Sequence, residues 1–385
     1  MAWLDLRRNP RVAALVSRRV GLACALLMGC SEGPPEVALP AFAASLPGNT
    51  VVVVWRVDDS PSTSSPPKQL LPWESALAPL PGWLGLSVQS VGDVARAWVG
   101  AASEVAWPSL AGNALFVSAS AEAPPGERRA FVDLQQAVDL ALTRASQPAV
   151  ASPWQALQGV MVERVASALA VRSLQWLLVA ERGEGASAEC HAVVASAEGN
   201  AGVFGLLAER APEASSAVAF ACGDAALVAT VAFVPRVAVG ILRDLMAGEG
   251  DGALQMAREL LRGPRFDAAL AAVGGLAGGL RLAVGRDGAV VVLDVADARA
   301  VGDALDVVGR PEGQGWSFAG WHIVLEGATL VCRRGDLGAG GPSLPALRPG
   351  AWVSLPATGI EATATHVHGS GRVHVHARRI GSGGR

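Results

Sequence analysis

Four of the six histidines in this 385-residue chain lie within eleven positions near its carboxyl terminus. They are His366, His368, His374 and His376, in the stretch THVHGSGRVHVHARR. Imidazole nitrogens bind zinc and copper ions well, so histidines held close together can form a metal site. Whether these four rings meet depends on the element that carries them.

The stretch has the alternating pattern of a β-hairpin, with Gly-Ser-Gly at 369–371 as its turn. A three-residue loop there predicts that His366 faces His374 and that all four imidazoles share one face. Directly opposed residues have Cβ atoms about 4.5–5.5 Å apart, which allows these two histidines to chelate one ion. His368 or His376 would then add a third ligand diagonally and leave one coordination position open.

A solvent-exposed hairpin is the alternative. In the same register Val367, Val373 and Val375 share the opposite face and would pack on a core, while Arg372 and Arg378 accompany the histidines. No Asp or Glu follows nearby to orient the imidazoles, as metal-binding histidines usually require. Below about pH 6.5 the rings would instead gain charge and attract anionic lipid or polysaccharide.

The amino terminus has the three parts of a secretory signal. Five arginines precede a short apolar run, GLACALLM, and a small residue comes before GCSEGPPE. The apolar run is too short to span a bilayer as a stable helix. We therefore expect residues 1–29 to be a signal peptide.

The end of this segment resembles the lipobox of bacterial lipoproteins. Leu27, Met28, Gly29 and Cys30 follow its order, although Met28 is larger than the residue usual at its position. The resemblance implies cleavage before Cys30 and attachment of acyl chains, such as palmitate, to that cysteine. Ser31 is not the aspartate that retains lipoproteins at the inner membrane, so the resemblance implies the outer membrane, facing the periplasm. Several acyl chains on one residue anchor a protein stably.

Charge restricts the class of partner. Removing residues 1–29, which carry five arginines and one aspartate, takes the net charge from −3 to −7. A nucleic-acid partner is not expected, since such proteins carry a basic face. The expected partners are the membrane, through the lipid, and another envelope protein or a glycan. Tryptophans suited to stacking on sugar rings, or equally to packing in a core, are Trp73, Trp83, Trp98 and Trp107.

Beyond a Pro-rich tether at 30–48, the chain alternates between two apolar strands and a helix. This rhythm predicts an α+β fold, with antiparallel-rich sheets of repeated β-β-α units and helices packed on one face. The predicted organisation is an α+β domain at 49–334, a Gly/Pro linker at 335–350 and the His-rich hairpin at 351–385. The layout resembles uncharacterised families of exported bacterial lipoproteins, from which no activity can be transferred.

Particular segments carry these assignments. GNALFVSAS, residues 112–120, is interpreted as a strand, and ADARAVGDALDVVG as a helix that Asp297 caps. GRDG at 285–288 supplies a hairpin turn. Gly274 and Gly278 mark the end of one helix and the start of the next strand.

Catalytic patterns are incomplete. GWSFAG has Ala319 where a GxSxG nucleophile elbow needs its second glycine. Ser65 and Lys68 have SxxK spacing, but the two prolines between them prevent the helical turn that would bring the groups together. HExxH, CxxC and GxxxxGK patterns are absent from the sequence. We therefore expect a binding protein rather than an enzyme.

The remaining cysteines of the mature chain are Cys190, Cys222 and Cys332. An oxidising compartment permits one disulfide among them, and the sequence leaves its partners open. Together these features predict a lipid-anchored, non-enzymatic envelope protein that acts as a scaffold or binding protein. The alternative is a periplasmic zinc- or copper-binding protein that uses the histidine hairpin; no other cofactor is expected.

Overall fold

The computed structural model describes residues 37–57, 84–90, 93–99, 108–146, 163–183, 188–199, 202–210, 225–247, 264–335, 345–367 and 370–380. The segment predicted to be a signal peptide and the lipobox-like residues, including Cys30, lie outside the described residues. So do three of the four tryptophans, Cys222 and His368. Of two compact units, Met1–Leu39 and Pro40–Arg385, the second contains every helix and strand discussed below.

Sixteen strands form the framework of the described residues. In chain order they are β1 (Thr50–Val57), β2 (Leu84–Ser90), β3 (Asp93–Val99), β4 (Arg128–Asp133), β5 (Leu174–Arg182), β6 (Glu189–Ser196), β7 (Ala225–Ala232), β8 (Leu276–Gly285), β9 (Gly288–Val295), β10 (Arg310–Glu312), β11 (Gly315–Phe318), β12 (Trp321–Glu326), β13 (Thr329–Gly335), β14 (Ala351–Leu355), β15 (Ile360–Val367) and β16 (Arg372–Arg379).

The α-helices used below are α1 (Ala114–Ala121), α2 (Leu134–Ser146), α3 (Gly202–Leu206), α4 (Pro235–Ala247), α5 (Pro264–Gly274) and α6 (Ala298–Val308); residues 163–168 are also helical. Short 3-10 helices are Ala41–Ala44, Leu110–Gly112 and Val171–Ser173. None of the helices in the described part of the chain combines the length and the apolar character that crossing a membrane requires.

All sixteen strands belong to one sheet with the order β10-β11-β12-β13-β9-β8-β7-β14-β15-β16-β6-β5-β4-β1-β3-β2. Every described pair of neighbouring strands is antiparallel. The last three strands of the chain lie in the middle, where β14 pairs with β7 and β16 pairs with β6. The C-terminal segment therefore joins the two halves of the sheet.

Residues directly opposite each other share a face, which defines two surfaces of the sheet. We call the surface that carries Trp55 and His376 the front face, and the surface that carries Val54 and Val375 the back face. One continuous row on the back face is apolar across twelve strands: Val54, Ala130, Val179, Ala192, Val375, Ala364, Ala351, Val231, Leu280, Leu293, Leu330 and Leu325.

Helices α2 and α6 cover parts of the back face. From α2, Ala137 and Leu140 pack against a core cluster that includes Val54. From α6, Val301 and Leu305 pack in the cluster that includes Leu330. Burial of these side chains is the main source of stability for a helix laid on a sheet.

Helix α1 lies on the front face instead. The ring of Phe116 is fully buried, with its centroid 6.1 Å from that of Trp55 and 5.2 Å from that of Phe131. Immediately after this helix the Glu122 carboxylate accepts hydrogen bonds of 2.9 Å from the Arg372 guanidinium on β16. Aromatic contacts and a charge-assisted bidentate pair thus hold α1 to the front face.

The predicted α+β fold with helices packed on one face is therefore wrong. The structure is one large antiparallel sheet, richer in strands than predicted, and its helices lie on both faces. One local interpretation was also wrong: GNALFVSAS was interpreted as a strand, but the segment forms α1 on the front face. The side chain of Asn113 accepts hydrogen bonds from the backbone N–H groups of Leu115 at 2.9 Å and Phe116 at 3.2 Å, which starts the helix.

Other local predictions are confirmed. Asp297 caps α6 by accepting a hydrogen bond of 3.0 Å from the Ala300 N–H group. The turn predicted at 285–288 connects β8 to β9, and α5 ends at Gly274 as predicted. These assignments depended on contacts between residues close in sequence.

Candidate metal site

The register of the histidine hairpin differs from the predicted one. Val367 pairs with Arg372, so four residues separate the paired positions instead of three. A shift of one residue moves a side chain to the opposite face of a sheet. Consequently His374 and His376 lie on the front face, whereas His366 lies on the back face. The prediction that His366 faces His374 is wrong, and these two histidines do not form a chelating pair.

Local hydrogen bonds support this longer turn. The Ser370 hydroxyl donates to the carbonyl oxygen of Val367 at 2.7 Å and accepts from the Arg372 N–H group at 3.2 Å. Gly371 follows with φ of 63°, which a glycine adopts without steric cost. Its carbonyl oxygen also accepts a hydrogen bond of 2.8 Å from the N–H group of Ser196 in β6.

The predicted ligands therefore occupy different surroundings. On the back face, His366 Nε2 lies 3.0 Å from the carbonyl oxygen of Gly199, and its ring meets that of Phe204 edge-on at 6.1 Å. His374 is exposed on the front face. His376 is half-buried, and its neighbour on the adjoining strand β6 was not among the predicted ligands.

That neighbour is His191, from the middle of the chain. Antiparallel pairing of β16 with β6 puts His376 directly opposite His191, and the two rings stack with centroids 4.3 Å apart and planes inclined by 22°. Glu189 lies two residues before His191 on the same strand and therefore on the same face. Ligand atoms of the three side chains all lie within 4.8 Å of one another.

Among the described residues, this is the one group of three histidine, cysteine or acidic side chains whose ligand atoms lie this close. A tetrahedral zinc ion with Zn–N bonds of about 2.0–2.1 Å places its ligand atoms about 3.3 Å apart. Binding of one ion by all three groups requires side-chain rotations that close the remaining distance. Moreover, His376 Nε2 is buried and has no hydrogen-bond partner among the described protein groups. A metal ion would satisfy this nitrogen, which is otherwise costly to bury.

The charges around the cluster also suit a cation. Arg378 is directly opposite Glu189 in the register, yet its guanidinium forms an ion pair of 3.4 Å with Glu361 on the other neighbouring strand. Glu189 has no ion-pair partner among the described residues and can donate its carboxylate oxygen to a metal.

The protonation state of His191 also favours metal binding. Burial lowers the pKa of His191, the neighbouring His376 lowers it further, and Glu189 acts in the opposite direction. The ring is therefore neutral at neutral pH, which is the form that binds metal ions.

Glu189 also borders a cleft at one end of the sheet. The cleft has a volume of about 350 Å³ and lies where β5, β6, β15 and β16 terminate. Most of its lining residues lie on the back face, and neither His191 nor His376 is among them. Its lining includes Glu189, Cys190, Thr358, Ile360 and Arg379. The carboxylate ligand of the candidate site thus lies at the rim of a cavity.

Cys190 and Cys332 are both free thiols. Their strands, β6 and β13, are separated by seven strand spacings in the sheet, or about 34 Å, which is far too long for a disulfide. Burial raises the pKa of the Cys332 thiol to about 11. Burial also raises the pKa of Cys190, with a further contribution from Glu181. The two thiols are not a reactive pair.

We expect slow alkylation of Cys332 by iodoacetamide in the folded protein at pH 7.5. Only the thiolate reacts, and with a pKa of about 11 the thiol remains protonated until the pH rises well above neutrality. Unfolding in guanidinium chloride at the same pH should increase the rate at least tenfold, measured by mass spectrometry of the peptide containing Cys332. Equal rates in the folded and unfolded protein would contradict this assignment.

Trp98 is the one member of the predicted tryptophan cluster that the structure describes. Only 3% of its surface is exposed, and it packs in the core cluster with Val52 and Val54. For this residue the structure favours core packing over contact with a glycan.

The sequence contained a weak indication of Glu189 and His191. A Glu-x-His pattern within a strand places both side chains on one face, where they can bind the same metal ion. The partner His376 was identified as a candidate, but its pairing with β6 depends on strand order.

No protein-family model, curated protein or solved structure matches this chain. The functional argument therefore rests on the residues themselves.

Proposed function

We propose that this chain is a lipid-anchored, non-enzymatic protein of the bacterial envelope that binds a zinc or copper ion through Glu189, His191 and His376. The observation that carries the metal assignment is the direct opposition of two imidazoles on β6 and β16, with a carboxylate within 4.8 Å of both. The envelope assignment is supported by the lipobox-like sequence that ends at Cys30.

Two nitrogen ligands and one oxygen ligand are a donor set that zinc and copper(II) both accept. Three protein ligands leave at least one coordination position for water or for a group of another molecule. Structural zinc sites usually have four protein ligands, so an open position favours exchange of the ion over permanent stabilisation. We therefore assign the site to reversible binding of a metal ion in the periplasm.

Calorimetric titration of the untagged mature chain, residues 31–385, with Zn²⁺ and with Cu²⁺ tests this proposal. We expect one ion to bind per chain. A His191→Ala, His376→Ala double variant should bind at least a hundredfold more weakly, because two of the three ligands are lost. The matched control is His366→Ala, His374→Ala, which removes two histidines from the same sheet, and it should retain the wild-type affinity.

The two double variants distinguish the structural site from the one predicted from sequence. Loss of binding in the control alone would show that the histidine hairpin binds metal in the predicted register. Weak binding that neither variant changes would refute a specific metal site. Circular dichroism of each variant establishes that a loss of binding is not a loss of fold.

A further inference from the structure

A second cavity lies on the back face, away from the candidate metal site. It has a volume of about 480 Å³, within the range of small-molecule sites. The segment after α3, the first turn of α4 and His366 of β15 form its walls. His366 was one of the predicted metal ligands, but in the structure it lines this cavity instead.

Main-chain hydrogen bonds fix two walls of this cavity. The N–H group of Val234 donates to the carbonyl oxygen of Leu206 at 2.9 Å, and that of Ala208 donates to the carbonyl oxygen of Ala232 at 2.8 Å. Between these bonds Leu207 and Phe233 form an antiparallel bridge. The two backbone segments are therefore held side by side before any ligand arrives.

Each of these paired segments contributes one arginine to the cavity. Arg210 follows Ala208 by two residues, and Arg236 follows Val234 by two residues. Neither guanidinium has an ion-pair partner among the described residues. By contrast, Arg172, Arg372 and other arginines of the chain form ion pairs with carboxylates.

The third polar wall is the imidazole of His366. A carbonyl oxygen can only accept, so the contact with Gly199 at 3.0 Å places the hydrogen of the neutral ring on Nε2. The edge-on contact with Phe204 holds the ring from another side. In that tautomer His366 Nδ1 is a hydrogen-bond acceptor.

Charge in the cavity is unbalanced toward the positive. Glu209 also lines it, so one acidic residue and two arginines border the cavity. Guanidinium groups bind phosphate and carboxylate oxygens through paired hydrogen bonds, which makes them the usual side chains for recognising such anions. The remaining walls are apolar side chains of Leu207, Val234 and Val237.

We propose that this cavity binds a small organic anion, in which a phosphate or carboxylate group contacts Arg210 and Arg236 and an apolar group contacts Leu207, Val234 and Val237. The size of the cavity exceeds what an inorganic ion needs, and its apolar walls fit an alkyl or aromatic group. Since His366 lies on the opposite face from His376, this binding does not depend on the metal site.

Calorimetric titration with octyl phosphate, octanoate and octanol tests the inference on the mature chain. We expect octyl phosphate or octanoate to bind at one molecule per chain, and octanol to bind at least tenfold more weakly because it lacks the charge. The stronger of the two anions identifies the preferred head group. An Arg210→Gln, Arg236→Gln double variant should lose at least tenfold in affinity for that anion.

The matched control is Arg286→Gln, Arg310→Gln, which removes two exposed arginines elsewhere and should leave the affinity unchanged. Equal losses in both double variants would show non-specific charge attraction and overturn the inference. Octanol binding as tightly as the anions, or no binding of either anion, would also overturn it. Zn²⁺ titration of the Arg210→Gln, Arg236→Gln variant should remain at the wild-type affinity, so this test fails or succeeds separately from the metal proposal.

Discussion

Replacing Asp294 with alanine should lower the free energy of unfolding by about 3–5 kcal/mol, the range for removing one partner of a buried ion pair. The Asp294 carboxylate accepts a hydrogen bond of 3.0 Å from the guanidinium of Arg281, and the side chains are 2% and 0% exposed. Gly279 has no side chain, and a Cβ atom there would collide with Asp294 Oδ2. In the variant, a charged guanidinium would stay inside the protein without its carboxylate. Equilibrium denaturation in urea measures the change.

Two further variants test the physical reason. Replacing both partners, as in Arg281→Met with Asp294→Leu, should recover much of the lost stability, because neither charge of this pair is then left buried. Asp303 forms an exposed ion pair of 3.9 Å with Arg299, and Asp303→Ala should change stability by less than about 0.5 kcal/mol. A loss below about 1 kcal/mol for Asp294→Ala would contradict the burial of this pair.

Removal of residues 336–385 should abolish the native fold. This truncation deletes β14, β15 and β16, which occupy the centre of the sheet. The edges of β7 and β6 would lose their hydrogen-bonded partners, and long unpaired edges promote aggregation. We expect the truncated chain to elute as aggregates in size-exclusion chromatography and to show no cooperative thermal transition.

Deleting only residues 381–385 is the matched control, since this removal leaves β16 intact. The shorter deletion should preserve the wild-type elution profile and the wild-type melting temperature. A stable, cooperatively folding product from the longer deletion would show that the two halves of the sheet fold without the C-terminal strands. That result would contradict the central position of β14–β16.

Local sequence patterns predicted a recurring order of two apolar strands followed by a helix. Asp297 identified the start of α6, and GRDG identified the turn between β8 and β9. The same reasoning failed at α1, because LFVSAS suits a strand as well as a helix. The side chain of Asn113 and the burial of Phe116 against aromatic rings determine the helix there. Only the first of these two causes can be recognised in the sequence.

The candidate site was predictable only in part. His376 was identified by its type and by its neighbours in the sequence, but His191 is 185 positions away. Their meeting depends on β16 inserting beside β6, and strand order in a large sheet is not encoded by local periodicity. The position of His366 depended on the length of the hairpin turn. The turn is one residue longer than predicted, which places the His366 side chain on the opposite face of the sheet. The buried ion pair between Arg281 and Asp294 likewise could be recognised only in the tertiary structure.

Crystals of the mature chain grown with Zn²⁺ provide the most direct measurement of the central claim. Anomalous diffraction at the zinc edge should reveal one strong peak on the front face, about 2.0–2.1 Å from a ring nitrogen of His191 and of His376 and within bonding distance of the Glu189 carboxylate. A peak beside His366 or His374 instead, or no ordered peak on the sheet, would contradict the proposed function.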